Sequence, residues 1–206
     1  MNTALTSQWH VLAGRPLAFV RERCLAECLE RDVDAARLAA LRDSPRFTAR
    51  LEQLLTGHFK LQPLAQLDLP AEQDLAVLLL SEGDFSHLPR LCGAVWHAAT
   101  LSQEIRGEVV SEYRRLLGND TFSLALTHRH LAGAANLLRA PAELLQAIDR
   151  DGAACVAAWL QSCPAQLQAW LRLRLAEPVH AAQDDAKQVT VVQTVARHLT
   201  EISSHE

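Results

Sequence analysis

Residues 141–161 read PAELLQAIDRDGAACVAAWLQ, and their spacing decides the fold class. Leu145, Ile148, Gly152, Cys155 and Trp159 recur three and four residues apart, with Leu144, Val156 and Leu160 widening the stripe. That is the period of an α-helix with one apolar face, whereas a half-buried strand would alternate every second residue.

Working outward, the flanking segments carry the same signature, and strong helix formers, above all Leu and Ala, surround them. Pro16 can open a first helix reaching about Asp32, and Ser44-Pro45 reads as a cap followed by proline at the first helical position, with Gly57 placed to end that helix. Residues 58–69 look like a connector around Pro63, and Pro70 opens a helix that Gly83 can close. Two helices, about Ser86–Ala99 and about Leu101–Leu117, are parted near Thr100, where TLSQ fits a capping box between Thr100 and Gln103. Gly118 is a stop, and Asn119 and Asp120 start a helix to about His130. After Pro164, Leu167, Trp170, Leu171 and Leu175 line one side, although LRLRL at 171–175 also alternates like a strand. A polar linker from Pro178 to Lys187 leads to Val192, Val195, Leu199 and Ile202 at helical seam spacing, with no internal repeat anywhere. The sequence therefore predicts an all-α protein: one compact multi-helix domain over 1–178, then a linker and C-terminal helix over 179–206, either docked or partner-binding.

Composition narrows the function. Of the 206 residues, 49% are hydrophobic and 21% charged, which is ordinary for a globular domain. No apolar run approaches the roughly 20 residues of a membrane span, and the N-terminus lacks a basic start followed by an apolar stretch, so a cytoplasmic protein without membrane insertion is expected. Five cysteines, an odd number, argue against a disulfide framework. A net charge of −4 argues against general nucleic-acid affinity. Residues 1–60 hold nine Lys and Arg against seven Asp and Glu, the greatest local excess of positive charge, too small for a phosphate groove.

Residues 87–97, HLPRLCGAVWH, place a thiol between two imidazoles. At about 100° per residue on a helix, Cys92 and His97 lie roughly 140° apart and His87 and His97 roughly 80° apart, not the i, i+3 or i, i+4 arrangement of helical metal ligands. Packing explains the stretch better: Gly93 and Ala94 clear space for a second helix, Trp96 anchors it, and Cys92 acts as a small apolar group. Trp159 and Trp170 read as further packing anchors. Cys24 and Cys28 share a helical face, but two thiols are half a tetrahedral zinc site. HRH at 128–130 sits near a helix end, where cationic side chains suit the dipole, a pH sensor being the alternative. Glu104, Glu108 and Glu112, spaced i, i+4 beside Arg106, Arg114 and Arg115, look like a solvated mixed-charge face. Phosphate-binding glycine loops, a nucleophile elbow and a His-Glu-x-x-His motif are all missing from the sequence. No catalytic, cofactor-binding or metal-binding residues are assigned, and no enzymatic activity is expected.

From about Leu69 to Leu175 the order of features, LPAEQDLAVLLLSEG, LPRLCGAVWHAATLSQEIRGEVV, YRRLLGNDTFSLALTHRHLAG and GAACVAAWLQSCPAQLQAWLRLRL, resembles the sorting-platform K proteins of bacterial type III secretion systems (SctK, called YscK, OrgA or MxiK in different systems). The resemblance covers about half of the chain and contains no catalytic motif. It implies a mostly helical adaptor beneath the inner-membrane ring, joining the cytoplasmic domain of the ring D protein to the pod Q protein, and through the pods to the L stator and the N ATPase. Arginines dominate many interfaces, and Arg114, Arg115 and Arg129 are the expected partner contacts. Two other classes compete: a helical transcription regulator using residues 34–57 as a helix-turn-helix, and a thiol or metal sensor using Cys24 and Cys28.

Overall fold

The computed structural model describes residues 3–29, 33–137, 139–175 and 185–203. The expected helix end at Asp32, the boundary at 178/179 and the first part of the polar linker lie outside them. So does the side chain of Ile202.

The described residues are all-α. Twelve helices follow one another: α1 (Thr3–Ala13), α2 (Glu22–Cys28), α3 (Ala35–Asp43), α4 (Pro45–Phe59), α5 (Glu72–Leu78), α6 (Glu82–Trp96), α7 (Ala98–Gln103), α8 (Gly107–Leu117), α9 (Asn119–Thr127), α10 (Pro141–Ser162), α11 (Ala165–Arg174) and α12 (Ala186–Ser203). Tight 3-10 turns occupy Pro16–Phe19, Leu64–Gln66 and Arg129–Leu131. There is no strand among the described residues, and residues 171–174 of the alternating LRLRL stretch are helical.

The chain divides into two compact units, Met1–Leu79 with Cys163–Pro178 and Leu80–Ser162 with Val179–Glu206, so the described part of 1–178 contributes to both. In the first unit, α11 supplies a late plug for helices made much earlier. Trp170 and Leu171 are fully buried there, as are Leu55 and Leu64. The Trp170 indole N–H donates to the Gln62 carbonyl (2.8 Å), which meets the usual need of a buried indole for an acceptor. Arg174 donates to the Leu78 carbonyl (2.8 Å) and lays its guanidinium 5.0 Å from the centre of the Phe19 ring.

The second unit is built on α6, α10 and α12, with α7, α8 and α9 around them. Ala94, Ala98, Leu101, Tyr113, Leu117, Phe122, Ala125, Leu144 and Ile148 form one of its apolar clusters. Val191, Val192, Val195 and Ala196 of α12 are fully buried. The C-terminal helix is docked.

Several helix ends depart from the sequence pattern. Ser81, not Ser86, starts α6: its hydroxyl accepts the Asp84 N–H (3.1 Å), so Gly83 lies in the first turn and closes nothing. The helix α6 then continues through Pro89 to Trp96. Pro16 opens only a 3-10 turn. Gly57 lies inside α4, which ends three residues on at Lys60, held in the left-handed region at φ 54°. The break assigned to Thr100 falls at His97, and Thr100 sits inside α7 with a buried hydroxyl that has no hydrogen-bond partner among the described residues. Gln103 instead accepts from the Asn136 amide (2.5 Å). A side chain tied elsewhere cannot close the local capping box. Gly118, at φ 87°, makes the stop expected of it between α8 and α9.

Candidate functional site

Of the stretch singled out for its thiol and two imidazoles, Cys92 and Gly93 lie at the crossing of α6 and α10 and His97 one turn beyond it, whereas His87 is exposed. A Cβ on Gly93 would lie 1.9 Å from the Ile148 carbonyl oxygen, and one on Gly152 would lie 1.8 Å from the Pro89 oxygen. Both distances are far inside van der Waals contact with backbone, so each helix has glycine where the other passes. Cys92 and Cys155 flank this crossing and are both fully buried. Burial drives both thiols up, Cys155 to about 12. A thiol held protonated is neither a nucleophile nor a metal ligand.

One turn on, His97 is 2% exposed, and its Nε2 lies 2.8 Å from Asp151 Oδ2 on α10. Burial lowers the imidazole's pKa, outweighing the neighbouring carboxylate. Burial by itself would raise Asp151, but hydrogen bonds from Arg150 and His97 hold its pKa below the usual value. The consistent state is a neutral imidazole whose Nε2–H donates to an ionised Asp151. Arg150 closes the other carboxylate oxygen (Nε to Oδ1, 2.8 Å). The pair joins α7's start to α10.

Trp96 is fastened from three sides. Its carbonyl accepts the N–H groups of Gly133 and Ala134, both at 3.1 Å. A Cβ on Gly133 would strike the Trp96 ring at 2.1 Å. From α12, Lys187 sits 5.9 Å from the ring centre and donates to the Ala132 carbonyl (2.6 Å). Trp159 is fully buried within α10.

The three arginines expected at a partner interface are all exposed and fall on two elements. Arg115, in the last turn of α8, forms a two-pronged pair with Glu112 (2.8 and 2.6 Å). Arg114 reaches over the Phe122 ring, 5.4 Å from its centre. Arg129 lies on the turn after α9. Among the described residues no hydrogen bond or ion pair joins it to the other two.

Glu104 corrects the reading of a solvated carboxylate face. It lies between α7 and α8 rather than on a shared helix, with its side chain only 3% exposed. The Arg106 guanidinium grips both carboxylate oxygens (2.9 and 2.6 Å), and the Arg106 backbone N–H adds a third bond at 2.9 Å. These bonds pull the Glu104 pKa down to about 2. The i, i+4 spacing concealed this arrangement. The signal that could have revealed it is Gly107, whose weak helix propensity sits between Glu104 and Glu108.

In the first unit, Cys24 and Cys28 do share a helix face. Cys28 donates to the Cys24 carbonyl (3.1 Å) and Cys24 to that of Leu173 (3.6 Å). Burial raises both, Cys28 to about 11. Among the described residues no group of three His, Cys, Asp or Glu side chains is arranged to hold a metal ion. Only Ser44 separates α3 from α4, too short a link for the three- or four-residue turn of a helix-turn-helix. No helix among the described residues is long and apolar enough to cross a membrane.

Fold and site together define an all-helical protein whose thiols and buried imidazole are packed or paired, with arginine left on its surface. The chain belongs to the NolU family of nodulation proteins. It is 30% identical over 157 residues to nodulation protein NolU of Sinorhizobium fredii (strain NBRC 101917 / NGR234), covering 69% of this chain and 74% of that protein. Over 152 residues it is 28% identical to NolU of Rhizobium fredii, covering 73% and 68% respectively. No family model matches, and no solved structure does.

Proposed function

We propose that this protein is a non-enzymatic adaptor of a bacterial type III secretion sorting platform, which joins the cytoplasmic domain of the inner-membrane ring D protein to the pod Q protein. Through the pods it serves the L stator and the N ATPase, and it sits at the inner membrane by holding the ring. The observation that carries this reading is how the reactive groups are used. Cys92 and Cys155 are sealed and protonated, and His97 is locked to Asp151. Such a molecule works through its surface. Helical architecture, the resemblance of the middle of the chain to the K proteins, and kinship with the NolU nodulation proteins support the same role.

The test is co-purification of tagged protein from native cells, with the bound proteins identified. Enrichment of the ring D and pod Q proteins is expected. Their absence from a preparation in which the bait is folded overturns the adaptor reading.

A further inference from the structure

The HRH segment at 128–130 has a use that neither its helix-end position nor the adaptor reading explains. His128 packs its imidazole against two others: His130 on the same turn, with ring centres 6.0 Å apart, and His198 of α12, 5.8 Å away and edge-on at 80°. The Nε2 of His128 is closed off from solvent and has no hydrogen-bond partner among the described residues. The cluster therefore bridges the Arg129–Leu131 turn to the docked C-terminal helix.

We propose that the His128–His130–His198 cluster is an acid-sensitive latch on α12: it holds the helix against the Arg129–Leu131 turn at neutral pH and loosens it on mild acidification. A proton on His128 would place a charge beside two imidazoles and Arg197, opposed by Glu201 alone. Those are the groups that act on it. The helices α6 and α7 also pack on the turn; α6 contributes no charged group that acts on His128, and α7 (AATLSQ) has no ionisable side chain.

Burial, with His198, His130 and Arg197, lowers the His128 pKa below the ordinary 6.5. The docked arrangement therefore binds fewer protons than the released one. Its advantage is complete above pH 6.5 and falls away as pH drops below that value. Loosening lets water reach Nε2 and parts the three rings.

Hydrogen–deuterium exchange of the whole chain, corrected for intrinsic rates, reads this directly. Protection of residues 186–203 should fall progressively between pH 7.5 and 5.5, with most of the loss below pH 6.5. Protection at 144–160 of α10 should fall less. His128→Gln should remove most of the pH dependence, whereas His97→Gln, which alters the other buried imidazole of this unit, should leave it in place. In the unmodified protein, imidazole NMR should show His128 titrating below a free imidazole and in step with the loss of α12 protection, a readout that needs no variant. Protection independent of pH, a parental slope in His128→Gln, a slope abolished by His97→Gln, or His128 titrating apart from α12 would overturn the latch.

Discussion

Gly93 and Gly152 face each other across the crossing of α6 and α10. The Cβ that either lacks would land 1.9 Å and 1.8 Å, respectively, from backbone carbonyl oxygens of the facing helix. A backbone cannot swing aside as a flexible side chain can, so relief requires moving a whole helix. Gly93→Ala and Gly152→Ala should each cost about 3 kcal/mol, the upper part of the overpacking range, and Gly93→Leu should cost at least as much. Because both changes push the same two helices apart, the double variant should lose less than the two single losses added together. Urea unfolding followed by circular dichroism decides it. Parental midpoints would place Gly93 against solvent.

The His97–Asp151 pair gives a second test. Removing the acceptor by Asp151→Ala leaves the His97 Nε2–H sealed and unsatisfied, a loss of about 1–3 kcal/mol at neutral pH. The sign with pH follows from both shifts. Since the His97 pKa is lowered from 6.5, the folded state resists the proton that the unfolded chain accepts, and stability falls as pH drops below 6.5. Asp151, lowered from 3.8, supports the fold above that value and stops doing so in stronger acid. His97→Gln should therefore flatten the stability profile between pH 6.5 and 5. A profile of unchanged steepness would mean that the imidazole titrates freely in the folded protein.

The helical class and the small-residue stripe could be read from the spacing of Leu145, Ile148, Gly152, Cys155 and Trp159 alone. Stop and start at Gly118 and Asn119 were equally plain, because a left-handed or otherwise positive φ restricts the choice of residue. What stayed hidden depends on partners distant in sequence. His97 marks the end of α6 because Asp151 holds it, and no local pattern announces a residue 54 positions away. Thr100 fits the capping motif, but its partner Gln103 is held by Asn136, 33 positions away. The His128–His198 contact is hidden for the same reason, since it joins the turn to a helix at the other end of the chain. Lys187 pins α12 near Trp96, so the choice between a docked and a free C-terminal helix also had to wait for tertiary structure.

Glu104 and Arg106 should shape the acid limb of unfolding. The Glu104 pKa, brought from 4.5 to about 2 by Arg106, means that the folded state keeps this carboxylate ionised where the unfolded chain protonates it. Its contribution is complete above pH 4.5 and is lost as pH falls toward 2. Glu104→Gln should thus be less stable than the parent at pH 6, with the difference closing between pH 4.5 and 2. Thermal melts across that range measure the gap. A constant gap would show that the carboxylate's charge contributes nothing and only its shape matters.

All five cysteines are buried and outside any disulfide, and burial pushes Cys28 to about 11 and Cys155 and Cys163 to about 12. A disulfide-exchange reagent at pH 8 should label less than one thiol per native chain within minutes and all five after denaturation, since the thiolate is the attacking species. Fast labelling of Cys24 or Cys28 in the native protein would revive the thiol sensor.

Arg114 and Arg115 offer the sharpest separation of binding from folding. The Arg115–Glu112 pair is exposed, with side-chain accessibilities of 68% and 39%, and solvent screens such pairs until they add little to stability. Arg114 adds a surface cation–π contact to Phe122, about 0.5–1 kcal/mol. Reversing both to Glu also sets negative charge at the C-terminal end of α8, a further few tenths of a kcal/mol. The helical dichroism should therefore be unchanged and the melting point only slightly lower. If these arginines meet a partner, capture of the ring D or pod Q protein by the tagged variant should drop at least tenfold, as loss of an interface hot spot does. Unchanged capture of both proteins would remove Arg114 and Arg115 from the interface and leave Arg129, on its separate turn, as the remaining candidate.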